Sequence, residues 1–156
     1  ALLALALAFA VYAMLPLRTP VDSVAILPFV NGVGPELETF GDGLTDSVIN
    51  NLTTAGVKVK SRHAAFSYKG KGMDPQTIGR ELGVRAVLTG SIQKQGDALV
   101  IKAALVNVAD DFQLWGKQYP VYDLVGGGRF LALQEDISKQ ITDEMKTKII
   151  NADKKP

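Results

Sequence analysis

Residues Ser23 to Phe29 read SVAILPF. The run is almost wholly apolar, does not alternate with polar positions, and has the length of a strand. A strand with one face in water alternates, whereas a strand covered on both faces does not. The run therefore predicts a central strand with other structure packed on both faces. Next comes a Gly-Pro loop, VGPE (Val33 to Glu36), and then a helix ending at Gly56. Leu44, Val48, Leu52 and Ala55 line one face of that helix, and Gly56 suits its left-handed stop. Val57 to Ser61, VKVKS, alternates and predicts a half-buried strand. A strand–helix–strand order implies a crossover, and so parallel pairing.

Further along the chain, Asp74-Pro75 opens a second helix, with Asp74 as its cap and Pro75 in its first turn. Ile78 and Leu82 face inward, and Gly83 stops it. RAVLTGSIQKQ (85–95) and ALVIKAALVNV (98–108), joined at Gly96-Asp97, predict a hairpin. Asp110-Asp111 turns the chain into QLWGKQY (113–119). Phe130, Leu133, Ile137, Ile141, Met145 and Ile149 recur every three or four residues and predict a final helix. Glu135 with Lys139, and Glu144 with Lys148, are placed as i,i+4 pairs on its outer side. The order β-α-β-α-β-β-β-α predicts an α+β fold: a two-layer sandwich in which helices pack a mixed sheet of about five strands.

One transmembrane helix is expected ahead of this domain. Residues 1–17, ALLALALAFAVYAMLPL, carry no charge, and the first charged side chain is Arg18. A helix from Ala1 to Leu15 would be about 22 Å long. The hydrocarbon core is about 30 Å thick, so the expectation is an anchor truncated at its start. Leu2, Leu3, Leu5, Leu7, Phe9, Val11, Tyr12 and Leu15 would face lipid, with Tyr12 near the interface. Pro16 and Pro20 end the helix. Two other readings are a signal segment, with Ala8-Phe9-Ala10 as cleavage site, and a buried core helix, which the lack of a polar face disfavours. The organisation expected is anchor 1–17, tether 18–22, domain 23–150 and a fraying polar tail 151–156.

Seventeen Lys and Arg against sixteen Asp and Glu leave a net charge of +1, which argues neither for nor against nucleic acid. The distribution is blocked. Val21 to Val57 holds five acids and no base, and Lys58 to Arg85 holds seven bases and two acids. A bipolar surface suited to protein partners is the expectation. The absence of cysteine excludes disulfides, thiolate metal sites and thiol nucleophiles.

Little else points to chemistry. His63 is the single histidine, and there is no GxSxG elbow for it to serve. YKGKGMD (68–74) departs from a phosphate loop, because Met73 follows Gly72 where that loop needs Lys. Asp42 and Asp46 lie one helical turn apart and could share a cation, but two carboxylates do not close a site. Asn51-Leu52-Thr53 matches a glycosylation sequon inside a predicted helix. The bases from Lys58 to Lys71, interleaved with Phe66 and Tyr68, read as the solvated face of an edge strand rather than a nucleic-acid surface. Trp115 and Tyr119 read as sheet packing. No catalytic, cofactor-binding or metal residue is assigned, no cofactor is expected, and nucleic acid is not expected as a partner. The segment 120–129 differs from the rest: Val121, Tyr122, Leu124 and Val125 are apolar, and Gly126, Gly127 and Gly128 precede Arg129. It reads as a loop shaped to another subunit, with a link tucked on its own domain as the alternative.

Six blocks fall in order: SVAILPF, FGDGLTDSVINNL, SRHAAFSYKGK, IGRELGVRAVLTGSI, LVNVADDFQLWGKQY and FLALQEDISKQI. In this order and spacing the chain, from about Ser23 to Ile150, resembles the TolB amino-terminal-like domains of bacteria. The resemblance implies an α+β fold similar to anticodon-binding domains, and a non-catalytic extracytoplasmic module that binds proteins or ligands. It implies a preceding transmembrane helix, and often a serine/threonine kinase or adenylate cyclase upstream or tetratricopeptide repeats downstream. The link PVYDLVGGGR (120–129) is longer and richer in glycine than the family's, and no repeats follow the last helix. The expectation is a single-pass protein of the bacterial inner membrane with its domain in the periplasm. It would contact lipid through residues 1–17 and other protein subunits through the domain, as an accessory subunit of a transport, respiratory or photosynthetic complex. The alternative is the sensor part of a membrane kinase or adenylate cyclase.

Overall fold

The computed structural model describes residues 1–14, 21–122 and 128–153. The elements run α1 (Leu2–Met14), β1 (Ser23–Ile26), β2 (Val30–Asn31), a 3-10 turn (Pro35–Leu37), α2 (Glu38–Thr54), β3 (Lys58–Val59), α3 (Arg62–Phe66), α4 (Pro75–Leu82), β4 (Ala86–Gln95), β5 (Ala98–Asn107), β6 (Gln113–Val121) and α5 (Gly128–Asp153). Strands β3, β1, β4, β5 and β6 lie side by side in that order, and β2 pairs β4 beyond the end of β1. β1 runs parallel to both β3 and β4, while β4, β5 and β6 form an antiparallel meander. SVAILPF thus contributes the inner parallel strand that its unbroken apolar run predicted.

Two apolar clusters hold the fold, one on each sheet face. Ile26, Leu88, Ile92, Ile101 and Leu105 meet Leu44, Val48 and Leu52 of α2 and Ile137, Ile141 and Met145 of α5. On the other face Ala25, Leu27, Val87 and Val108 meet Ile78 and Leu82 of α4. The expected two-layer sandwich is corrected here. Helices cover both faces where β1 and β4 lie, which is why β1 lacks polar positions.

Several local expectations hold. The Asp74 side chain accepts from Thr77 N at the start of α4, and Gly83 ends that helix with φ of +68°. Gly56 has φ of +85°. Other details differ. Ala55 is exposed. β3 is only two residues long, because Ser61 turns the chain and caps α3, its hydroxyl accepting from Ala64 N. Neither α3 nor β2 was anticipated. Val121 belongs to β6, while Gly128 and Arg129 open α5, so the link is shorter than the sequence implied.

Among the described residues no helix is long and apolar enough to cross a membrane. α1, with 13 residues, measures about 20 Å. None of its side chains is buried, which removes the core-helix reading. Leu15 and residues 16–20 lie outside the described residues.

Candidate functional site

Glu38, Asp42 and Asp46 recur at intervals of four along α2 and so share one face of it. That face is answered by the basic segment that follows β3. Lys69 Nζ lies 2.5 Å from Glu38 Oε1 and 2.6 Å from Asp42 Oδ1, and Arg62 Nε lies 2.6 Å from Asp46 Oδ1. Three acids of the acidic block are thus answered by two bases of the basic one, and to that extent the expected bipolar surface is neutralised within the chain. Asp42 and Asp46 each pair with a different cationic side chain.

The same contacts turn residues 62–73 into a strap across the end of the sheet. Ala65 is its buried foothold. The Arg62 guanidinium lies 3.9 Å from the centre of the Phe66 ring, close enough for cation–π attraction. The Tyr68 hydroxyl donates to Glu81 Oε2 at 2.7 Å. The Lys69 and Asn31 hydrogen bonds hold the Glu38 carboxyl below its usual range. Asp42 and Glu38 together push the Lys69 ammonium above its usual value. Gly70 and Gly72, with φ of +74° and +63°, let the strap double back toward α4.

Beneath the strap lies a crevice of about 550 Å³. It exists because the sheet ladder is interrupted. β1 pairs β4 as far as Leu88, and β2 resumes at Ser91, leaving Thr89 and Gly90 between them. Pro28 has no N–H to offer β4, and Phe29 N turns away to Thr45 Oγ1 at 3.1 Å. Thr45 Oγ1 in turn donates to Gly41 O, so this buried hydroxyl is satisfied. Leu27, Val30, Met73 and Ile78 give the crevice apolar walls, Thr89 lies on its floor, and Glu38 and Lys69 stand at its rim. Gly90 beside Thr89 is required on the opposite face, where a Cβ would run into the Phe29 ring.

The residues singled out from sequence are scattered. Val121 is buried and lies opposite Leu99 in the sheet, so its side chain already packs in its own domain. Tyr122 is 79% exposed. Arg129 is exposed in the first turn of α5. Leu124, Val125, Gly126 and Gly127 lie outside the described residues. His63 is exposed on α3. The Asn51 amide donates to Ser138 Oγ on α5 at 3.1 Å, which occupies the sequon nitrogen. Trp115 and Tyr119 are core residues, as their sheet positions predicted. Trp115 Nε1 donates to Glu144 Oε2 at 2.9 Å, and Lys117 pairs with the other carboxylate oxygen. Glu144 thus makes its direct contacts with the sheet, and Lys148 of its own helix adds a longer-range attraction. Burial works to raise its pKa, but the bonds from Lys117 and Trp115 outweigh that and lower it.

The crevice escaped sequence reading because its walls come from four separated segments. The one local trace was the pair Gly70 and Gly72 in YKGKGM, whose spacing departs from that of a phosphate loop.

No protein-family model matches the sequence. The chain is 34% identical over 129 residues to a protein of Rhizobium meliloti (strain 1021) described as putative adenylate cyclase 3. The match takes in 81% of this chain but only 21% of that protein, so the chain spans about a fifth of its relative's length. Among solved structures, lipoprotein GNA1162 from Neisseria meningitidis aligns with a TM-score of 0.54 at 21% identity, over 77% of this chain and 96% of that one. TolB from Acinetobacter baumannii aligns with a TM-score of 0.53 at 17% identity, over 83% of this chain and 28% of that one. The chain shares its fold with both. That fold makes up nearly all of one and about a quarter of the other.

Proposed function

We propose that this chain is a membrane-tethered recognition module of the TolB amino-terminal-like kind, facing the periplasm, that acts by binding rather than by catalysis. The geometry of the crevice carries the reading. Its charged groups are spent on each other, Lys69 on Glu38 and Asp42, and a reaction centre instead aims such groups at one point. The apolar walls are built to receive something. Tethering is supported by α1, whose large side chains, Leu2, Leu3, Leu5, Leu7, Phe9, Val11 and Tyr12, are all exposed and therefore call for lipid. Tyr122, exposed at the end of β6, is the described part of the segment proposed to meet a partner subunit.

One observation favours a particular setting. Identity to a fifth of a putative adenylate cyclase supports an input domain of such a signalling protein. The other setting is an accessory subunit of a membrane complex.

Three measurements test the proposal. The chain should stay with membranes through a carbonate wash, and release without detergent would refute the tether. The sequence has no cysteine, so Gln118→Cys gives a single reporter. It should react with a membrane-impermeant maleimide in spheroplasts, and protection until lysis would place the domain on the wrong side. Replacing the matched segment of the Rhizobium protein with this chain should preserve regulated cyclic AMP output. Constant output in that chimera, together with a stable subunit partner co-purifying with the chain in a Tyr122-dependent manner, would favour the accessory-subunit setting.

A further inference from the structure

We infer that the crevice under the strap is a small-molecule site for an uncharged, largely apolar ligand carrying one hydrogen-bonding group. This rests on reading the chain as a binding module and adds a ligand class to it. The argument starts from size. A volume of about 550 Å³ falls within the range of pockets that enclose small organic ligands. The position agrees with it. The crevice opens past the carboxyl end of a parallel strand, where open sheets flanked by helices place their ligands.

Charge then selects the ligand class. A ligand anion would have to draw Lys69 away from two carboxylates. A ligand cation would have to compete with Lys69 for Glu38, which also accepts from Asn31 Nδ2 at 3.3 Å. The Tyr68 hydroxyl is already committed to Glu81. An apolar body needs none of these exchanges, since Leu27, Val30, Met73 and Ile78 supply its contacts. One polar group on the floor is lightly held: Thr89 Oγ1 reaches Ala104 O at 3.5 Å, the outer limit of a hydrogen bond. It is the group placed to orient a ligand hydroxyl or carbonyl.

The test uses three probes of one shape: neutral 2-naphthol, anionic 2-naphthoate and cationic 2-naphthylmethylammonium. Each is titrated near neutral pH into the full isotope-labelled chain in lipid nanodiscs and followed by amide shifts. 2-Naphthol should move the amides of Val30, Thr89 and Gly90 saturably, and both ions should bind at least about tenfold more weakly. Thr89→Trp, which fills the floor, and Met73→Trp, which fills the wall from the strap side, should each weaken naphthol about tenfold. Two variants are used so that a folding failure in one leaves the other informative. Thr54→Trp, in the groove between α2 and α5, should change nothing.

Equal or tighter binding of either ion would overturn the ligand class. Shifts that do not saturate, or that map to α1, would overturn the site. Absence of naphthol shifts while the protein partner is still recovered would refute this site and leave the binding module standing.

Discussion

The two faces of the sheet are closed by different means. Over one face lie the 17 residues of α2 and the 26 of α5, which bury Leu44, Val48, Leu52, Ile137, Ile141 and Met145 against the strands. Over the other lie the eight residues of α4, the five of α3 and a glycine-bearing strap held by exposed ion pairs. Burial of apolar area is what stabilises folding most, so global stability resides on the first face. Exposed ion pairs contribute little each, so the strap side opens at lower cost. Binding segments are drawn from such low-stability regions. The crevice lies where the sheet meets its lighter cover.

The sharpest way to break this contrast is Ile141→Asp. Ile141 is fully buried, and an unpaired carboxylate there should cost more than about 4 kcal/mol. Circular dichroism should show no cooperative melt. A melt like the parent's would mean that α5 is not the main cover of this face.

A finer probe uses two neighbours on β4 that point to opposite faces. Gly90→Ala would press a Cβ into the Phe29 ring and should cost about 1–3 kcal/mol in urea unfolding. Thr89→Ala removes a weakly bonded hydroxyl on the crevice side and should stay within about 0.5 kcal/mol. Similar costs for the two would erase the distinction between the faces.

The smallest effect concerns pH. Glu38 is lowered in the folded chain, so its contribution is present above the ordinary carboxylate value and is lost as pH falls through the lower, folded one. Lys69 is raised, so its contribution is present below the ordinary lysine value and is lost as pH rises through the higher, folded one. The strap should therefore stay docked through the neutral range and loosen first in acid, as pH falls below the ordinary carboxylate range. Amide signals of Tyr68 to Gly72 should broaden or shift there while those of Ile137 to Met145 hold. Lys69→Met should reproduce the loosening at neutral pH with little change in Tm. Simultaneous loss of both sets of signals would show that strap and core unfold as one unit.

Much of the fold was legible because its signals are local. The period of Ile137, Ile141 and Met145, the cap at Asp74, the stop at Gly83 and the hairpin at Gly96-Asp97 each depend on neighbours within a few residues. Ser61 shows where this fails. Five alternating residues predicted a strand, and one side-chain cap converted the end of that run into the start of α3. β2 was missed because two residues form no period. Glu144 was placed in a helix-surface pair by spacing alone, whereas Trp115 and Lys117, distant in sequence, drew it to the sheet.

By itself the sequence determined the order of the longer elements, the parallel role of SVAILPF, the antiparallel meander and the uniformly apolar character of α1. These follow from periodicity, backbone preference and charge, which are written along the chain. Only the tertiary structure decided that the acidic and basic blocks face each other, that α3, α4 and the strap are what covers the second sheet face, and that the ladder break at Thr89 and Gly90 opens a crevice. Each of those joins residues from separate segments, and a one-dimensional pattern carries no record of which segments become neighbours.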